Sequence, residues 1–307
     1  YHMRIAYLIL AHTDVKQLNR LLKQLCETQD VYLHVDQKAD FSIDEINDYS
    51  SLYILTQRTR CYWGDISLVE ATLLLYRAAL QKTYDRYVLL SGQDYPLYAQ
   101  KDLLAFFEKH ADVEFIRGFA ITDKNQDYFK IQQRHFMKPF FHNRKVDRFV
   151  HHLLRYVITK NRLFYKRTDL ILQGQTYTVY GGGQWHALTH AFASYMMDLI
   201  DTQPKLLTYF QTSYAPDEML FQTILFNSPF RDHTFKKGVE AAHVDDIHRW
   251  TALHVMKINA YGEVSPYRND DYAYLKASEA LFFRKAVSGI SDTLIDRLEE
   301  EFYAASI

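Results

Sequence analysis

The hydrophobic pattern opens with a short unbroken apolar run, Ile5-Ala6-Tyr7-Leu8-Ile9-Leu10. A continuous run of this kind predicts a parallel strand buried on both faces. It stops at Ala11-His12-Thr13-Asp14. Leu18, Leu21, Leu22 and Leu25 then recur at helical spacing and predict a helix over Val15–Leu25. Val31-Tyr32-Leu33-His34-Val35 predicts a second strand ending at Asp36, and Tyr53-Ile54-Leu55 a third. Residues 67–80 form an amphipathic helical pattern, and Tyr87-Val88-Leu89-Leu90 a buried strand that runs into Ser91-Gly92-Gln93-Asp94-Tyr95-Pro96. This β-α-β-β-α-β order predicts a sheet with helices on both faces. Further on, 103–107 and 191–199 read as helices, and 113–116 and 177–180 as short strands. Phe226-Asn227-Ser228-Pro229-Phe230 reads as strand-like, and Leu281-Phe282-Phe283-Arg284-Lys285 as part of a C-terminal helical stretch.

Composition narrows the class. The 307 residues are 48% hydrophobic and 24% charged, ordinary values for a globular protein. A net charge of -1 gives no reason to expect nucleic acid as a partner. Two cysteines, Cys26 and Cys61, make neither a disulfide framework nor a metal cluster, and fit a reducing compartment. No apolar run is long enough to span a membrane, and no segment reads as a signal peptide. Residues 120–170 are rich in Arg, Lys, His and aromatics. They read as a solvated excursion over the sheet or as a surface for an anionic acceptor, carrier or membrane face.

Three places carry candidate chemistry. His12 and Asp36 follow the ends of neighbouring strands, where open α/β sheets bind ligands. There is no G-x-G-x-x-G and no G-x-x-x-x-G-K-[ST], so neither a dinucleotide fold nor a P-loop is supported. Gly181-Gly182-Gly183 precedes Gln184-Trp185 and either permits close backbone approach or makes a bend. Tyr214-Ala215-Pro216-Asp217-Glu218 puts two carboxylates at the entry to an apolar helix. It reads as a well-started helix, or as a turn that holds a general base.

Seven runs, in order across nearly the whole chain, resemble the Core-2/I-branching β-1,6-N-acetylglucosaminyltransferases and the related peptide O-xylosyltransferases. Tyr7-Leu8-Ile9-Leu10-Ala11-His12 resembles the family's first strand and its terminal histidine, and Leu33-His34-Val35-Asp36-Gln37-Lys38 its HVD-x-K run. Trp63-Gly64 with Ser67-Leu68-Val69-Glu70-Ala71 resembles the next helix start. Ser91-Gly92-Gln93-Asp94-Tyr95-Pro96-Leu97 resembles the GQD-[FY]-P turn, and Gly182-Gly183-Gln184-Trp185 a small-residue turn before an aromatic. Tyr214-Ala215-Pro216-Asp217-Glu218 resembles YSPDE with Ala215 replacing the serine, and Leu281-Phe282-Phe283-Arg284-Lys285 resembles LFARK. Residues 120–175 match little.

The resemblance implies a GT-A-like α/β fold, a mixed and mostly parallel sheet flanked by helices, in one domain over 3–307. Tyr1-His2 is read as a cloning remnant, and 120–175 as the acceptor side. It implies an inverting glycosyltransferase of microbial type that uses a UDP-sugar, with GlcNAc the expected sugar and xylose the alternative. Glu218 would be the general base. Lys285 and Arg268 would hold the diphosphate, with Arg249 as runner-up, and His12, Asp36 and Arg58 would line the nucleotide. Asp94 would position the donor sugar or hold its own turn. Trp185 would stack on a sugar face or sit in the core, and Asp217 would contact sugar or fix the turn. No D-x-D is present, so no metal and no cofactor are expected. Two rivals remain: a metal-dependent enzyme using Asp36 or Asp94 as ligand, and a non-enzymatic carbohydrate-binding protein. The expected partners are the UDP-sugar and a glycan or glycoconjugate acceptor, with peripheral contact to a membrane or lipid-linked acceptor. The expected setting is cytoplasmic polysaccharide biosynthesis.

Overall fold

A computed structural model of the chain describes residues 2–124, 127–241 and 252–305. The first half runs β1 (Ile5–Ala11), α1 (Val15–Leu25), β2 (Asp30–Val35), β3 (Leu52–Ile54), α2 (Ile66–Ala79), β4 (Arg86–Ser91), β5 (Asp94–Pro96) and α3 (Gln100–Lys109). An irregular region follows, with β6 (Phe119–Ala120), α4 (Tyr128–Gln132), α5 (Arg144–Lys160), β7 (Leu170–Leu172), β8 (Gln175–Tyr177) and β9 (Tyr180–Gly181). The chain then forms β10 (Ala187–Thr189), α6 (His190–Thr202), α7 (Pro204–Phe210), α8 (Leu220–Phe226), β11 (His254–Ile258), β12 (Val264–Ser265), α9 (Tyr272–Ala277), β13 (Phe282–Arg284) and α10 (Asp292–Ala304).

The central sheet has the order β10-β4-β1-β2-β3. β1, β2, β3 and β4 are parallel, and β10 is antiparallel to β4. Successive residues of β1 feed different cores. Ala6 and Leu8 pack with Val69, Leu73 and Tyr76 of α2, while Tyr7 and Ile9 pack with Leu18, Leu21 and Leu22 of α1. Helices therefore cover both faces, which is why the strand has no polar alternation. Ala11 pairs with Val35, and Leu10 with Ser91, so the carboxyl ends of β1, β2 and β4 lie side by side. His12, Asp36 and the turn Gly92-Gln93-Asp94 emerge there together.

A second sheet, ordered β12-β11-β13-β5, brings the C-terminal part of the chain against that edge. Here the structure corrects the sequence reading. Leu281-Phe282-Phe283-Arg284-Lys285 is not helical; its centre is β13, pairing Phe282 with Pro96, Phe283 with Tyr95 and Arg284 with Asp94. Both phenylalanines are fully buried, one consequence of strand alternation between two packed faces. The stretch 226–230 is not a strand either. α8 runs to Phe226, and the Ser228 hydroxyl donates to the Leu225 carbonyl at 2.7 Å, closing the helix end. Residues 113–116 make only isolated bridges at Glu114 and Phe115, and the 177–180 reading divides between β8 and β9.

Candidate active site

The turn at Tyr214-Ala215-Pro216-Asp217-Glu218 is a 3-10 segment, Pro216–Glu218, just ahead of α8. Ala215 has φ 52, a left-handed conformation that costs a non-glycine residue energy unless its surroundings hold it. Its N–H donates to the Gly64 carbonyl at 2.9 Å. On the other side the Gly182 N–H donates to the Glu218 carbonyl at 2.9 Å. A Cβ at Gly182 would lie 2.2 Å from the Arg117 carbonyl oxygen, so only glycine fits there. The triple glycine is thus a close approach of backbones.

The two carboxyls of the turn have separate environments. Glu218 keeps 41% of its side-chain surface exposed and accepts from Lys130 Nζ at 3.5 Å. Lys130 is also bound to Asp127 at 2.8 Å. Burial opposes the Lys130 charge, but Glu218 and Asp127 outweigh it and its pKa is raised. Asp217 points inward, with 5% exposure, and its Oδ1 has no hydrogen-bond partner. Burial, then the Glu218 charge, push its pKa up. Asp217 is too enclosed for the sugar contact considered above; the alternative, fixing the turn, fits its position.

Asp94 is fully buried and accepts from His254 Nε2 at 2.9 Å, Arg284 Nη1 at 3.3 Å and the Ser91 N–H at 2.8 Å. Burial alone would raise its pKa, but His254 and Arg284 outweigh it and the carboxylate is held below its usual range. With no exposed surface, Asp94 is bonded to its own turn and to Arg284, an environment that fits the turn-holding reading. The Arg284 guanidinium lies over the Trp185 ring, 4.9 Å from its centroid. Trp185 is buried beneath it, a position that fits the core reading. Lys285 follows, partly buried, its pKa lowered by lost hydration and by Arg284, with Glu263 opposing.

His12 sits at the rim of the same group. Partial loss of water and the Arg284 charge lower its pKa, Asp36 raises it, and Lys285 lowers it further. The sequence-predicted His12, Asp36 and Lys285 therefore share one electrostatic neighbourhood, and Arg284, unassigned from sequence, is its centre. Asp36 Oδ1 accepts from the Lys38 N–H at 2.7 Å. Arg58 donates to the Val35 and Asp36 carbonyls at 2.7 and 2.8 Å, so it pins the strand end that presents Asp36. Arg268 is exposed; its N–H donates to Asp271 at 2.8 Å, and among the described residues no hydrogen bond or ion pair joins its side chain to the Asp94 group. Arg249 lies outside the described residues.

Arg284 was legible only in part: it stood in the quoted C-terminal run, but a helical reading hid its pairing with Asp94. Lys130 and His254 had no local signal. Among the described residues no three His, Cys, Asp or Glu side chains are grouped as a metal site. A cleft of about 940 Å³ is lined by Arg117, Lys236, Val255, Lys257 and Tyr274 among others; it reaches His254, the partner of Asp94, but contains none of the residues predicted from sequence.

One strap joins the two halves of the site. Gly182 binds the Glu218 turn, Gln222 Nε2 donates to the Gly183 carbonyl at 2.7 Å, and Trp185 underlies Arg284. Within three residues, a stretch of at most about 10 Å, the strap runs from the backbone of the Glu218 turn to the ring beneath Arg284.

The chain is similar to known proteins. Xylosyltransferase 2 of Rattus norvegicus is 27% identical over 237 residues, covering 74% of this chain and 25% of that protein. Xylosyltransferase 1 of the same species is 24% identical over 240 residues, covering 75% and 27%. The chain thus spans about a quarter of the length of these curated relatives. The crystal structure of mouse xyloside xylosyltransferase 1 in its apo form aligns with a TM-score of 0.36 at 10% identity, over 91% of this chain and 97% of that one. The model of the Core-2/I-Branching enzyme family matches residues 5–263, a span that holds the strand-end group, the glycine strap and the Glu218 turn, and the chain belongs to that family.

Proposed function

We propose that the chain is an inverting glycosyltransferase that moves a sugar from a UDP-sugar to a hydroxyl of a glycan or glycoconjugate. The observation that carries this reading is the strap, which links the turn of the half-exposed Glu218 carboxylate to Trp185 beneath Arg284. In the proposed step Glu218 takes the proton of the acceptor hydroxyl while that oxygen attacks C1 of the donor sugar. The bond from C1 to the diphosphate oxygen breaks, and UDP departs from the opposite face. Lys130 favours the ionised form of Glu218, as a base requires. Arg284, aimed by Asp94 and Trp185, and Lys285 face the charge that develops on the leaving diphosphate. In this reading His12 and Asp36, at neighbouring strand ends, line the nucleotide. Arg284 replaces Arg268 as the proposed arginine.

For the donor sugar, UDP-GlcNAc stands beside UDP-xylose: the resemblance of the sequence runs to the β-1,6-N-acetylglucosaminyltransferases supports the first and the names of the relatives support the second. Release of UDP from each donor, with and without an acceptor panel, separates them. It also separates a transferase from a binding protein, which would release none. Glu218→Gln is expected to cut transfer by about 10²–10⁴-fold while donor binding persists. Near wild-type transfer in that variant would remove Glu218 from the role. Activity is expected to survive excess EDTA; loss that Mn²⁺ restores would establish the metal-dependent alternative.

A further inference from the structure

Residues 134–167 contain ten Lys or Arg and a single acid, Asp147, in a chain whose formal net charge is -1. The centre of this segment is α5, and it is strongly two-sided. At helical spacing Val146, Phe149, Leu153, Tyr156 and Val157 fall on one stripe. All five are exposed, Phe149 by 67%. Arg144, Lys145, Arg148, His152 and Arg155 occupy the opposite arc and are exposed as well. Only Ile158 of the helix is buried, so α5 touches the body along one edge and turns its apolar stripe to solvent. The flanking turns extend the surface: Phe140 and Phe141 before the helix and Leu163 and Phe164 after it are also exposed, Leu163 by 89%.

Patches of this size are uncommon on a surface that meets only water. The pattern fits one environment closely. Rings and aliphatic side chains enter the outer hydrocarbon of a bilayer, while the Lys and Arg around them meet anionic headgroups. An apolar groove would accept the stripe but match the ten-to-one charge excess only with an acidic rim, whereas anionic headgroups over hydrocarbon match both at once. Among the described residues no helix is long and apolar enough to cross a membrane, so α5 would lie along the surface.

The roots of the segment sit at the catalytic turn. His135 N–H donates to the Thr212 carbonyl at 2.8 Å, and the Lys166 ammonium donates to the Ser213 hydroxyl and to the Tyr209 carbonyl. Lys130, just before the segment, holds Glu218. We propose that α5 and its flanking turns form a docking arm for an anionic lipid surface, which seats the Glu218 turn close to that surface. The docking needs nothing from the sugar-transfer reading.

The test is sedimentation of the full chain with vesicles of phosphatidylcholine alone and of phosphatidylcholine mixed with phosphatidylglycerol. Binding is expected to the anionic vesicles and to weaken as salt rises. The double variant Phe149→Glu, Leu153→Glu changes only exposed positions, so its melting temperature should match the wild type while its vesicle affinity falls by at least about tenfold. Arg148→Glu with Arg155→Glu should remove the preference for anionic over neutral vesicles. No binding to anionic vesicles, or binding that both double variants retain, would overturn the proposal. So would a dimer on size exclusion that Phe149→Glu, Leu153→Glu disrupts without any vesicle binding, which would make the stripe a contact between copies.

Discussion

Asp217 and Glu218 are neighbours on one turn, yet only Glu218 reaches solvent and a cation. Divergent environments commonly divide two carboxyls into different roles. For Asp217 the raised pKa has a definite consequence for stability. The folded state keeps the proton to higher pH than the unfolded chain does, so stability falls as pH rises above the usual carboxylate range. In Asp217→Asn that slope should disappear, because the amide does not titrate. Melting temperatures from about pH 5 to about pH 8 would show a smaller decline in the variant than in the wild type. Transfer should persist in Asp217→Asn and fail in Glu218→Gln; equal pH slopes would refute the buried neutral acid. Asp94 works in the other direction. Its depressed pKa contributes stability that is present above the unfolded carboxylate's range and lost as pH falls through the lower folded value.

The strap from Gly182 to Trp185 is short, irregular and central. Its sequence promised either a bend or a close approach, and only packing could choose, because the contact at Gly182 is with Arg117, far away in the chain. Gly182→Ala should therefore lower stability by about 1–3 kcal/mol or more, through an overlap that backbone must absorb. Since the same residue anchors the Glu218 carbonyl, transfer should drop further than the melting temperature explains. A variant with wild-type stability and rate would show that the strap is not what sets the turn. β13 makes the same point for regular structure. Three residues of aromatic-rich chain hold no decisive period, and pairing with β5 and β11 supplies the backbone partners that make them a strand. Without that pairing Arg284 has no visible reason to face Asp94.

Across the molecule, the α/β, GT-A-like fold gathers His12, Asp36, Asp94, Arg284 and Lys285 at one edge, and the glycine strap links the Glu218 turn to them through Trp185. If that edge holds a nucleoside diphosphate, ligand should stabilise the whole fold. UDP at about 100 times its dissociation constant should add about 2.7 kcal/mol, read as a higher melting temperature. Arg284→Ala should weaken this effect markedly, and Arg268→Ala should leave it nearly intact. The reverse ranking would restore Arg268 to the diphosphate.

The sequence by itself determined the order of elements in the first half, the strand-end position of His12 and Asp36, and the turn that carries Glu218. These depend on local period, turn residues and short connections, which a chain displays wherever it lies. Tertiary structure alone decided which cation Asp94 aims, which lysine attends Glu218, which carboxyl of the pair is buried, and that β13 is a strand. Each of those depends on contacts between residues tens to hundreds of positions apart, where burial and partner charge, rather than local pattern, set the conformation and the protonation state.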